Sequence, residues 1–202
     1  MRRFTLIIAA IMVFSLSNFA ENRMNISSLE SLKELMPFSA IFHGKSEFQT
    51  VELIPNKSVT VEGSLKNGKI MESLGWASRS STACFPATQN LKFNGNHVLF
   101  VTNMPPHSIL KITVKPKKSG VNLSIYGYQL ANNQIILPKD LERCTSCEAE
   151  HKWDYPKRGK TQDDSRTISL NSIGNPYSIV VGITGANGLT EGDFTLEFSL
   201  EK

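Results

Sequence analysis

The chain has 202 residues, 40% of them hydrophobic and 20% charged, with 13 Gly, 9 Pro and 3 Cys. These proportions exclude a collagen-like, a disulfide-dense or an intrinsically disordered chain. Removing Arg2 and Arg3, which belong to the leader described next, leaves 20 basic against 18 acidic residues, a net +2 instead of +4; a charge this small excludes the basic footprint of a nucleic-acid partner.

Met1-Arg2-Arg3 is a short basic start and Phe4 to Leu16 an almost unbroken apolar run. At about a dozen residues the run is too short for a hydrocarbon core that needs roughly 20, so it reads as a secretory signal peptide, residues 1–20, with cleavage after Ala20 and cleavage after Ser17 as the alternative. No Cys follows to take a lipid. The mature protein is therefore expected in the periplasm or outside a bacterium, with no transmembrane segment. Residues 21–48 form an N-terminal helix and linker: Ser27 and Glu30 have capping-box spacing, Leu29, Leu32, Leu35 and Met36 share a face, and Pro37 ends the helix.

From Val51 the period changes from about 3.6 to 2, which alternates side chains across a sheet. Val51/Leu53 and Val59/Val61 flank the turn Pro55-Asn56-Lys57. Val98/Phe100, Leu110/Ile112/Val114 and Val121/Leu123/Ile125 follow, then Ile168/Leu170, Tyr177/Ile179/Val181/Ile183 and Phe194/Leu196/Phe198/Leu200. Turn clusters such as Asn94-Gly95-Asn96 and Lys117-Lys118-Ser119-Gly120 separate them. Many short strands without intervening helices predict an all-β, mostly antiparallel sandwich over 49–202. Ile112, Leu123, Ile179 and Leu196 should lie inside it, with Lys111, Thr113, Lys115, Thr195, Glu197 and Ser199 on wet faces. The stretch from Pro138 to Arg166 interrupts the rhythm with a loop whose length signals function.

Gly95-Asn96-His97-Val98-Leu99-Phe100, Ser108 to Val114 and Val121 to Tyr126 resemble the central strands of the bacterial pre-peptidase C-terminal domain. Asn175-Pro176-Tyr177-Ser178-Ile179-Val180-Val181 and Gly192-Asp193-Phe194-Thr195-Leu196 resemble its closing strands. The resemblance implies a jelly-roll-like β-sandwich that accompanies secreted enzymes without being catalytic. Val121-Asn122 stands where that family carries an acidic pair, and the 138–166 insertion is foreign to it, so a family calcium site is not carried over.

The densest chemistry is Cys144-Thr145-Ser146-Cys147-Glu148-Ala149-Glu150-His151. Cys84, Cys144, Cys147 and His151 have the ligand types of a three-Cys, one-His zinc site. In an oxidising compartment a disulfide among the cysteines is the simpler expectation. A bridge from Cys84 to Cys144 or Cys147 would staple the insertion to the sandwich, closing a loop of about 60 residues worth around 4 kcal/mol; a Cys144 to Cys147 bridge would close only a tight ring. The C-x-x-C also raises thiol-disulfide chemistry, although that motif works at a helix N-terminus.

Trp153 and Tyr155, beside Lys152 and Arg158, offer flat rings next to charged groups, the composition of a surface that holds a glycan or an envelope protein. The competing expectation is that both rings fold beneath the loop as anchors, since large aromatics are buried on average. Trp76 is expected in the core. The Lys111, Lys115, Lys117, Lys118 group would attract acidic glycans or lipid head groups, or form a solvated strand face. No G-x-S-x-G elbow or H-E-x-x-H helix is present, and the glycines of Gly63 to Lys69 lack the hydroxyl residue of a phosphate loop, Ile70 standing in its place. The sequence thus predicts an exported, non-catalytic binding or envelope-associated module without a cofactor. A hydrolytic or thiol-disulfide enzyme with a site assembled in space, and a purely structural periplasmic protein, are the alternatives.

Overall fold

The computed structural model describes residues 47–78, 87–141, 143–160 and 162–202. The signal peptide, the helix from Ser27 to Met36 and Cys84 fall outside the described residues.

Ten strands are present among the described residues: β1 (Phe48–Thr50), β2 (Ser58–Ser64), β3 (Lys69–Ile70), β4 (Asn96–Met104), β5 (Ser108–Pro116), β6 (Leu123–Ala131), β7 (Ser146–Glu148), β8 (Arg166–Ser172), β9 (Tyr177–Gly185) and β10 (Asp193–Glu201). They form two sheets. The larger has the order β1-β4-β9-β6-β7, with β3 also on β4; the smaller has the order β2-β10-β5-β8. All pairings are antiparallel except that of β1 with β4. The chain is a β-sandwich, as the alternation predicted. The Val51/Leu53 strand is corrected: β1 ends at Thr50, and Val51 donates its N–H to the carbonyl of Val101 while its side chain enters the core.

Between the sheets lie Phe100, Leu110, Ile112, Leu123, Ile125, Ile179, Val181, Phe194, Leu196 and Phe198, all without solvent exposure. The four predicted core residues are among them. The smaller sheet keeps one wet face, and β5 and β10 alternate buried with more exposed positions. Lys115 pairs with Glu197 and Lys117 with Glu62 on that side.

The larger sheet is covered on both faces, so β4, β6 and β9 are buried almost continuously. Its outer face carries a second cluster of Trp76, Phe93, Leu99, Val101, Tyr126, Tyr128, Cys144, Ala149 and Val180. The cover is built from the single helical turn Gly75–Ser78, the 3-10 segment Ala87–Lys92, the 3-10 turn Pro138–Asp140 and the loop that carries β7. Gly182 of β9 makes this layer fit: a Cβ there would overlap the ring of Tyr126 lying across it.

Candidate functional site

The site is built where the 138–166 insertion meets the outer face of the larger sheet. On β6 the even positions face outward, so Ser124 lies on the same side as Tyr126 and Tyr128, and it is fully buried. Its hydroxyl donates to the carbonyl of Lys92 at 2.7 Å. The same oxygen accepts from Nε2 of His151 at 2.9 Å, and Nδ1 of His151 faces Nη2 of Arg166 at 3.4 Å. These partners fix a neutral imidazole with its proton on Nε2. Burial, then the charges of Arg166 and Lys92, lower the His151 pKa to about 4.

This Ser–His pair is not a catalytic dyad. An acylating serine needs a base free to take its proton and a carboxylate behind that base to stabilise the imidazolium. Here the hydroxyl proton is directed to a backbone carbonyl and the second imidazole nitrogen meets a guanidinium, so imidazolium formation is opposed. The serine is also sealed from solvent. The pair instead straps the loop down. Arg166, 4% exposed, reaches from the start of β8 to the carbonyls of Asp163 and Ser165, with Nε 4.0 Å from Glu148. Lys92, 6% exposed, meets Asp154 at 2.6 Å. Two buried cations are thus each answered by a carboxylate or by carbonyls, as burial of charge demands.

Above this network the backbone N–H groups of Asp154 and Tyr155 both donate to the carbonyl of His151. That tight turn lays the indole of Trp153 on the His151 ring, centroids 5.6 Å apart and planes 8° from parallel, an offset-stacked geometry. The imidazole is wholly buried, whereas Trp153 remains 45% exposed. Tyr155 is 60% exposed. Burial of these two rings beneath the loop is therefore corrected: the anchor is His151, and the tryptophan rides on it. Lys152 and Arg158 are exposed on the same loop.

His97, Trp76, Cys144 and Cys147 sit elsewhere in the cover. His97 is buried, its Nε2 directed to the carbonyl of Phe93 at 2.8 Å and its Nδ1 to the hydroxyl of Tyr126 at 2.9 Å, and burial lowers its pKa to about 4. Trp76, 4% exposed, packs 4.7 Å from Tyr126. Cys144 is enclosed in the same cluster, and Cys147, on the edge strand β7, packs partly buried against it. Both ring nitrogens of His151 are engaged by Ser124 and Arg166, and no group of three His, Cys, Asp or Glu side chains is gathered for a metal among the described residues. Sequence reasoning found His151, Trp153 and Tyr155 but missed Ser124, Lys92 and Arg166. The available signal was polarity at positions whose strand parity or flanking Phe93 called for apolar residues.

No family model and no curated protein matches the chain. Among solved structures it is similar to the pre-peptidase C-terminal domain of collagenase from Bacillus anthracis, with 13% identity, 76% of this chain and 93% of that one covered, and a TM-score of 0.36. It is also similar to PliG from Aeromonas hydrophila, a periplasmic lysozyme inhibitor of g-type lysozyme, with 11% identity, 76% and 96% coverage and a TM-score of 0.34. A third is CorA, a surface-associated copper-binding protein of Methylomicrobium album BG8, with 8% identity, 76% and 97% coverage and a TM-score of 0.39. The resemblance to the pre-peptidase C-terminal domain read in the strand motifs recurs here.

Proposed function

We propose that this chain is an exported, non-catalytic binding module whose contact surface is the 148–160 loop and whose ligand is a glycan. The observation that supports the reading is the Trp153 indole, held parallel to a buried imidazole while the residue stays 45% exposed. A rigid ring fixed before the ligand arrives loses little entropy on binding, and its apolar face suits the C–H face of a sugar while neighbouring polar side chains answer the hydroxyls. The Ser124–His151–Arg166 network serves this surface as its foundation and takes no part in chemistry.

Trp153 reports directly on the proposal. In a titration with soluble polysaccharides, its emission should shift on binding while the buried Trp76 contributes a constant background, and Trp153→Ala should abolish the response. Polysaccharides that leave the emission unchanged, or retention by Trp153→Ala at unaltered strength, would remove the indole from the binding surface.

A further inference from the structure

Resting on the glycan-binding reading of this loop, we infer that the ligand is an acidic polysaccharide, with a sugar ring on Trp153 and its carboxylates against Lys152, Arg158 and Lys160. The carboxylates within residues 148–160 are already turned to cations. Glu150 pairs with Lys157 at 2.7 Å, Asp154 with buried Lys92 at 2.6 Å, and Glu148 is turned to Arg166. Lys152, Arg158 and Lys160 are exposed and have no carboxylate within ion-pair distance among the described residues. This stretch of chain therefore carries three exposed cations without an ion-pair partner among the described residues, alongside two exposed rings, Trp153 and Tyr155.

Their grouping follows from the way the loop doubles back. Lys157 donates its backbone N–H to Oε1 of Gln162 at 3.2 Å, Gln162 donates through Nε2 to the carbonyl of Glu150 at 3.3 Å, and the Glu150–Lys157 ion pair closes the same gap. Gly159, at φ 71°, allows the return, with Lys160 N–H bonded to the Lys157 carbonyl. The turn bearing Arg158 and Lys160 is thereby tied to residue 150, next to Lys152 and Trp153. A guanidinium matches a carboxylate bidentately and the two ammonium groups act as point charges.

The same surface argues against three other occupants. A neutral sugar would use the indole and leave the cations without a role. A nucleic acid would need a basic track longer than one loop. A bilayer would need an inserted apolar face, and Trp153 and Tyr155 stand among charges. Of the lysines on the smaller-sheet side, Lys115 and Lys117 already pair with Glu197 and Glu62.

Affinity electrophoresis of the mature full-length chain through gels containing polygalacturonate, dextran sulfate or neutral dextran tests the assignment. Polygalacturonate should retard the protein most, and salt at about 0.5 M should abolish the retardation. The triple variant Lys152→Gln, Arg158→Gln, Lys160→Gln should weaken binding about tenfold or more with an unchanged thermal midpoint. Retardation by neutral dextran as strong as by polygalacturonate, or a triple variant indistinguishable from wild type, would overturn the acidic assignment and leave the glycan reading standing. Stronger retardation by dextran sulfate than by polygalacturonate would overturn the carboxylate. Sedimentation with phosphatidylglycerol vesicles without retardation by any polysaccharide would overturn both readings in favour of a membrane surface.

Discussion

Protonating His151 in place would set a third positive charge between Arg166 and Lys92, with Asp154 and Asp164 as the opposing carboxylates. Both His151 and His97 are held neutral, each with a pKa of about 4 against an ordinary 6.5. The unfolded chain therefore binds these protons first as pH falls, so the stability they contribute is complete above pH 6.5 and is lost between 6.5 and 4. A depression of this size corresponds to roughly 3 kcal/mol for each histidine, a large share of a typical total stability of about 5 to 15 kcal/mol. Urea midpoints should fall across that window, and His97 or His151 imidazole resonances that titrate near 6.5 in the folded protein would contradict the geometry. The two tryptophans provide a second contrast at this scale. Trp76→Ala removes a ring packed on Tyr126 and should cost about 3 to 5 kcal/mol, whereas Trp153→Ala should leave the unfolding midpoint nearly unchanged because that residue is 45% exposed. Chemical denaturation of both variants separates a core ring from a surface one.

At the scale of elements, what could be read in the sequence depended on how each strand is stabilised. β5 and β10 were legible because one face is wet, so Leu110, Ile112 and Val114 alternate with Ile109, Lys111, Thr113 and Lys115 in a pattern of period 2. β4 and β9 carry Val98-Leu99-Phe100-Val101 and Ile179-Val180-Val181, unbroken apolar runs that signal burial on both faces; the period-2 reading used every second residue of them and so missed the covering layer. β1, β3 and β7 have 3, 2 and 3 residues and are defined by pairing with β4 and β6, which no local pattern encodes. The site was half legible for the same reason. Trp153 and Tyr155 announced themselves among charges, but the imidazole beneath the indole is specified by Ser124 and Arg166, which are 27 and 15 residues from it. Cutting Ile112, Leu123, Ile179 or Leu196 to Ala should each cost about 2 to 5 kcal/mol, as denaturant midpoints will report. For the cysteines, we propose a bridge from Cys84 to Cys147. The turn Gly75–Ser78 and the Ala87–Lys92 segment, which flank Cys84 in sequence, lead into Trp76 and Phe93 of the cluster that encloses Cys144 and meets Cys147 on its edge strand. Peptide mapping without reductant should recover the 84–147 pair, and a 144–147 ring in its place would discard the staple.

For the whole molecule, the two layers divide the work. The sandwich between the sheets supplies stability through its fully buried aliphatic and aromatic side chains, and the cover on the larger sheet holds the 148–160 loop, the proposed contact surface, on buried polar contacts. Because the sandwich core does not depend on the insertion for its packing, reduction of a bridge should loosen the loop before it unfolds the strands; hydrogen exchange under reducing conditions should show amides of 144–160 losing protection while β5, β9 and β10 keep theirs. We propose that the side of the cover bearing Trp153 is where this protein meets its ligand, so that binding and fold are separable. Calorimetric titration of polygalacturonate into the wild-type mature chain and into Trp153→Ala tests that claim most directly. Saturable heat from the wild type and none from a variant of equal stability is the expected result; equal heats from both proteins would contradict it, and no heat from either would overturn the acidic ligand assigned to that loop.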